Sequence, residues 1–156
     1  DVSFGPLRYD ENVYALYAAH SITRFGKTAD FEEFAANLHS PSCPTLMSRY
    51  TLGGRLLGAG YLDRSRDALS SVYFVFDPAF SALSLGVFSV LHEVEEARQC
   101  GLSYYYLGYL VRECPRMTYK ARFAPHQLYS WADRTWREPG HAEQSAYPGT
   151  IHLFSG

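Results

Sequence analysis

The chain has 156 residues, 47% hydrophobic and 19% charged, which supplies enough apolar mass for one core in one domain. A net charge of −2 and a pI near 6.3 exclude a protein that coats nucleic acid by bulk electrostatics, so any such contact must come from a local patch. No apolar run approaches the roughly 20 residues of a membrane helix, and the first residues lack the basic and apolar regions of a signal peptide. Cys43, Cys100 and Cys114 are odd in number with no CxxC pair, so the expected setting is cytoplasmic, away from membranes, with reduced thiols.

Asp10 is placed to cap a helix running through Val13, Leu16 and Tyr17 toward Ile22, and Asp30 with Glu33 makes a capping box for a second helix ending near Ser40 and Pro41. Three antiparallel strands in a meander follow: LMSRYTL, a turn at Gly53 and Gly54, RLLGAGYL, a polar turn from Asp63 to Asp67, and SSVYFVF, which Asp77 and Pro78 stop. From Ser84 onward Val87, Val90 or Leu91, Val94 and Ala97 recur at helical spacing. Glu93, Glu96 and Gln99 fall on the opposite side, and Gly101 ends the helix. SYYYLGYLV reads as a strand, Pro115 suits the first turn of a short helix, and IHLF is a last strand. The stretch from Trp131 to Gly149 carries prolines, glycines and scattered charge and reads as irregular.

Chemistry concentrates between Ser84 and Pro125. A helix N-terminus at Ser84 and Gly86 offers amides to a polar ligand, although serine also caps helices and glycine also permits close packing. Tyr104, Tyr105, Tyr106 and Tyr109 present rings on both faces of a strand. Stacking of a base on such a ring is worth roughly 1 to 3 kcal/mol, and tyrosines equally serve as core strand formers. Gly108 within the strand marks a bulge or a close approach. Two or three of Arg112, Arg116, Lys120 and Arg122 can converge on a phosphate or carboxylate, against the solvated surface that scattered arginines usually form. Asp77 ends a strand where a carboxylate could hold an incoming amine, and Asp-Pro is also a common turn opening. His92 and Glu96 have helical spacing, but HEVEE lacks the second histidine of a zinc-protease motif and reads as solvent-facing.

The wording SSVYFVFDP, followed by SLGVFSVLHEVEEARQCGLSYYYLGYLVRECPRMTYKARFAPHQL, resembles the C-terminal catalytic domain of the arginyl-tRNA-protein transferases and their bacterial leucyl-transferring relatives. The likeness runs back at lower strength to the helix around Tyr14 to His20. It implies an α/β domain with the fold of the GCN5-related N-acetyltransferases, a mixed, mostly antiparallel sheet flanked by helices. It also implies transfer of arginine or leucine from aminoacyl-tRNA, bound by its 3′ end, to an amine. That amine is expected to be the N-terminal α-amine of a protein or peptide with an acidic first residue. No metal or other cofactor is expected. The resemblance singles out Tyr119 and Lys120 as a functional pair.

Residues and resemblance together give Asp77, Tyr106 and Tyr119 as catalytic candidates. Tyr73, Phe76, Ser84, Gly86, Gly108, Arg112, Arg116, Lys120 and Arg122 are the candidates for substrate binding. Strand amides near Phe76 or Tyr106 are expected to polarise the ester carbonyl, Asp77 or a water to take the amine proton, and a tyrosine hydroxyl to protonate the leaving ribose oxygen. The strands around Tyr73 and Tyr106 should be neighbours that splay apart, leaving a cleft at the N-terminus of the helix starting near Ser84.

Two departures bear on this reading. The family's N-terminal domain, whose cysteines bind a metal or iron-sulfur cluster, has no matching segment here, which fits either an excised catalytic domain or a compact relative that aminoacylates a small molecule or peptide. Where an acyl-CoA N-acetyltransferase of this fold normally carries a basic, glycine-rich pyrophosphate loop, FSALSLGVFS has one glycine and no basic residue, which disfavours that reading. A non-catalytic module that binds acidic N-termini or tRNA ends is the remaining class.

Overall fold

The computed structural model describes residues 1–111 and 113–139 in full, and residues 149–154 as a backbone strand. In chain order the elements are β1 (Val2–Pro6), α1 (Glu11–Phe25), α2 (Phe31–Leu38), β2 (Thr45–Leu52), β3 (Arg55–Arg64), β4 (Ala68–Phe76), a 3-10 turn (Pro78–Leu83), α3 (Leu85–Gln99), β5 (Tyr104–Leu110), a second 3-10 turn (Thr118–Arg122), β6 (His126–Ser130), β7 (Thr135–Arg137) and β8 (Gly149–Phe154).

Both expected caps form. The Asp10 carboxylate accepts from the Asn12 amide at 2.8 Å and pairs with Arg49 at 2.6 Å, and Asp30 accepts from the Glu33 amide at 2.8 Å. The meander is β2, β3 and β4, with Gly53 and Gly54 at φ 56° and 80° in the first turn, where a side chain would be strained. Pro115 opens a turn, and the short helical segment begins three residues later. The segment expected to be irregular contains β7, which pairs with β6 as a hairpin; its residues 140–148 lie outside those described.

The strands form one sheet in the order β1-β2-β3-β4-β5-β8-β6-β7, in which only the β4–β5 pair is parallel. One core cluster joins Val13, Leu16 and Phe34 of α1 and α2 to Met47, Ala59, Tyr61 and Val75 of the sheet. A second joins Val90 and Ala97 of α3 to Leu62, Leu69, Tyr105, Leu107 and Leu110. Among the described residues no helix is long and apolar enough to cross a membrane.

The face on which α3 docks differs from the expected one. Glu93, placed on the polar side by its spacing, is fully buried, while Val87 and Leu91 are 38% and 57% exposed. Leu85, Ser89, Glu93 and Ala97, together with Val90, form the docking face. The sheet makes this choice. At Gly60 of β3 an added methyl would lie 2.4 Å from Ser48 Oγ and 3.0 Å from Glu93 Oε1, so the bare glycine provides the hollow that receives the carboxyl.

The parallel pairing of β4 with β5 covers only three residue pairs, Ala68 with Tyr104, Leu69 with Tyr105 and Ser70 with Tyr106. Just past that ladder each strand carries one extra residue. Val72 is skipped between the Leu62–Ser71 and Tyr61–Tyr73 pairs, and Leu107 between the Tyr106–His152 and Gly108–Ile151 pairs. A bulge bends its strand and increases local twist. Two bulges at one level turn β4 and β5 apart, as expected for the strands around Tyr73 and Tyr106.

Candidate active site

The gap between the parting strands is furnished from three directions. On the β5 side Gly108 takes φ 80°, a conformation disfavoured for any side chain, and this turns the Leu107 and Tyr109 carbonyls toward Lys120. The Lys120 ammonium donates to both, at 2.9 and 3.1 Å. It also lies 3.6 Å from where a Gly108 methyl would stand, and the Ser71 carbonyl of β4 lies 3.7 Å from the same point. The cation therefore sits between the two strands at their parting, and burial lowers its pKa from the usual lysine range.

On the β4 side α1 supplies His20 and Arg24. The Phe76 amide donates to His20 Nδ1 at 3.3 Å, and the same nitrogen lies 3.1 Å from the Phe76 carbonyl, to which the other tautomer donates. Burial and then the nearby Arg24 charge hold His20 below its usual pKa, although the bond to Phe76 acts the other way. The Arg24 guanidinium lies over the Phe76 ring at 5.4 Å. Arg116 Nη1 donates to the Arg24 carbonyl at 2.5 Å, which satisfies an end carbonyl of α1 and brings the Arg116 charge to the end of that helix across 92 positions of sequence.

The third contribution is the start of α3 and the 3-10 turn. Ser84 holds the N-cap position at φ 52° and its hydroxyl makes no capping bond, so the first-turn amides are not closed off by their own cap. The Tyr119 hydroxyl lies 3.8 Å from where a Gly86 methyl would stand, in front of that helix end. Burial, and after it the charge of Glu93, raises the Tyr119 pKa, with Arg24 opposing; the phenol is a neutral donor.

The structure thus gathers Phe76, Ser84, Gly86, Gly108, Arg116, Tyr119 and Lys120, and adds His20 and Arg24. The last two have helical i, i+4 spacing in HSITR, which places them on one face of α1, and that was the available signal. Other candidates lie apart. Tyr106 points to the face opposite Tyr105, where its ring meets Trp136 at 5.7 Å in an aromatic group with Tyr104, Tyr129 and the exposed Trp131. Tyr73 packs toward Tyr17 of α1 at 6.2 Å. Asp77 has both oxygens engaged, Oδ2 by Arg55 at 2.5 Å and Oδ1 by the Ala79 amide at 3.0 Å, so it must release Arg55 before it can hold an amine. Arg122 is exposed at the end of its turn, and Arg112 lies outside the described residues. His92 is half-buried against Phe88, at 4.4 Å, instead of facing solvent. Among the described residues no three His, Cys, Asp or Glu side chains come together as a metal-holding group.

Residues 12–130 match the family described as arginine-tRNA-protein transferase, C terminus. The chain is 37% identical to an aspartate/glutamate leucyltransferase of Chromobacterium violaceum over 79% of its own length and 52% of that protein. It is 38% identical to arginyl-tRNA-protein transferase 1 of Dictyostelium discoideum over 72% of its length and 18% of that protein. The chain spans about half the length of the bacterial relatives it matches. In fold it is similar to the ribosomal-protein-S18-alanine N-acetyltransferase of Escherichia coli, with a TM-score of 0.61 at 15% identity, covering 99% of this chain and 94% of that one. It is likewise similar to a GNAT-family acetyltransferase of Staphylococcus aureus, with a TM-score of 0.60 at 10% identity and both chains fully covered.

Proposed function

The chain belongs to the arginine-tRNA-protein transferase family, matched through its C-terminal part, and on that premise we propose that it transfers an amino acid of the arginine or leucine class from aminoacyl-tRNA to an N-terminal α-amine beside an acidic side chain. The observation that carries this reading is the cation-lined gap where β4 and β5 part, with Arg24, Arg116 and Lys120 around Tyr119 at the open end of α3. The names of the bacterial relatives give aspartate and glutamate as acceptors, which suits such a lining.

The chemistry asks little of an acid or base. The aminoacyl ester is already activated, and an α-amine with a pKa of about 7.7 to 8 is partly neutral near neutral pH. Holding amine and ester in attack geometry supplies much of the rate. In this reading the first-turn amides of α3 stabilise the tetrahedral oxyanion, the neutral Tyr119 hydroxyl gives its proton to the leaving ribose oxygen, and the proton that the attacking amine sheds passes through water to restore the Tyr119 phenol. The bound tRNA end supplies the ester, and the Tyr106 and Trp136 rings on the far face of β5 offer a surface for its bases. The competing reading, an acyl-CoA donor, rests on the shared fold alone.

The test is a competition between peptides that begin with Asp or Glu and those that begin with Asn or Gln, with leucyl-tRNA, arginyl-tRNA and acetyl-CoA as rival donors. The acidic peptides are expected to be used at least about tenfold better, the equivalent of one charge-assisted hydrogen bond. The preference should shrink as the screening length falls from about 10 Å at 0.1 M salt to about 3 Å at 1 M. Equal use of acidic and amide peptides at low salt would remove the acidic acceptor, and efficient transfer from acetyl-CoA would put the acyl-CoA reading first.

A further inference from the structure

Glu93 is the one carboxyl that α3 buries completely, and the reaction outlined above does not use it. Its Oε2 accepts from the Tyr105 hydroxyl of β5 at 2.5 Å, and Ser71 of β4 lies beside both groups. Tyr105 is the middle residue of the short parallel ladder, and Ser71 is the first residue of β4 beyond it. A single side chain of α3 therefore reaches both strands at the level where they part. Glu93 Oε1 and Ser48 Oγ of β2 flank Gly60 and make no hydrogen bond to a described residue.

Among the described residues no cation faces this carboxyl. The titratable groups turned toward it are Tyr50 from β2, Tyr105 from β5 and Tyr119 from the 3-10 turn, each pushed toward its neutral form by burial and then by the charge of Glu93. On α3 itself its buried neighbours one turn away are Ser89, Val90 and Ala97. A carboxylate in that setting has lost its hydration without gaining a counter-ion, whereas a carboxylic acid keeps an acceptor for Tyr105 and carries no charge to leave unpaired.

On the transferase reading given above, we propose that Glu93 is a positioning residue: it ties α3 to β5 beneath the opening of the site, and its ionisation weakens Tyr119 as a proton donor. That effect follows from charge, since a negative group near Tyr119 makes its phenol harder to ionise. Burial raises the Glu93 pKa to about 7, so the switch falls near neutral pH. The sign is that of a raised carboxyl: the contribution of the neutral form to stability is full below the unfolded value near 4.5 and is lost as pH rises through about 7.

Glu93→Gln keeps an acceptor and a donor in the same shape and cannot ionise, while Glu93→Leu removes both and Tyr105→Phe removes only the tie. Infrared titration of the intact protein reads the protonated carboxyl directly, and its band should vanish as pH passes about 7 in the native chain and be missing in Glu93→Gln. Transfer is then measured between about pH 6 and 9, with ionisation of the acceptor amine divided out. The native kcat is expected to fall about tenfold across that span with KM little changed, Glu93→Gln to hold its acid-side value throughout, and Glu93→Leu and Tyr105→Phe to lose about tenfold or more at every pH.

A carboxylate at pH 6, a folded Glu93→Gln chain that is inactive throughout, or a Glu93→Leu chain with native kcat would each overturn the proposal. A native chain that transfers from no charged tRNA overturns the reading on which the proposal rests. The infrared titration then decides separately whether Glu93 is the neutral tie.

Discussion

Lys120→Ala is expected to lower stability by about 2 to 4 kcal/mol and kcat/KM for transfer by roughly 100-fold, so that fold and activity fail together. The stability figure is that of two charge-assisted hydrogen bonds at roughly 1.5 to 3 kcal/mol each, offset in part by water reaching the carbonyls of Leu107 and Tyr109. The activity figure follows because those carbonyls form one wall of the gap, and small misplacements of a reacting group cost about 100-fold. Lys120→Arg should not restore either property. A planar guanidinium fork does not match a compact ammonium pointed at two carbonyls of one strand in the narrow space by Gly108 and Ser71. Lys120→Met, which keeps the apolar stem, separates packing from bonding. Urea unfolding and single-turnover transfer, run in parallel, check the prediction. An unchanged unfolding midpoint in Lys120→Ala would show that the ammonium does not hold β5 in place.

Elements whose signals are local were legible in the sequence. Asp10 and Asp30 cap their helices, Gly53 and Gly54 turn the first hairpin, and Gly101 ends α3 at φ 67°, each through residues within a few positions of the event. β1 was missed because VSFGP is short and ends in Gly and Pro; proline is tolerated at that edge strand, where the sheet stops. The β6–β7 hairpin was missed because its turn carries no glycine. Arg134 adopts the left-handed conformation at φ 55°, and an arginine gives no notice of that in sequence.

The site divides in the same way. Gly108, Tyr119 and Lys120 stood out through a misplaced glycine, a dense cationic run and a resemblance, and they meet in the fold. His20 and Arg24 did not, because a helix presents its residues to a sheet whose position its own sequence does not state. Arg116 reaches Arg24 only through the tertiary fold. Glu93 was assigned to the wrong face by a rule that counts hydrophobicity, whereas the docking face of α3 was set by what β3 lacks at Gly60.

That last point can be tested by filling the hollow. Gly60→Ala is expected to cost about 3 kcal/mol or more, at the upper end for overpacking, because the new methyl meets Ser48 Oγ at 2.4 Å and Glu93 Oε1 at 3.0 Å and neither belongs to the far end of a freely moving chain. Ser48 is buried in the interior of β2 and Glu93 is held by Tyr105, so relief requires both the Ser48 hydroxyl to give way and α3 to shift on the sheet. Ser48→Ala alone should be close to neutral, since it deletes a buried hydroxyl that bonds to no described residue. Combined with Gly60→Ala, it should recover about half of the loss, because the nearer clash is gone while the contact with Glu93 remains. Thermal or urea unfolding of the four proteins gives the coupling directly. Simple additivity of the two substitutions would mean that Ser48 and the residue-60 methyl do not compete for one space, and the explanation of why α3 buries its carboxyl would have to be sought elsewhere than in Gly60.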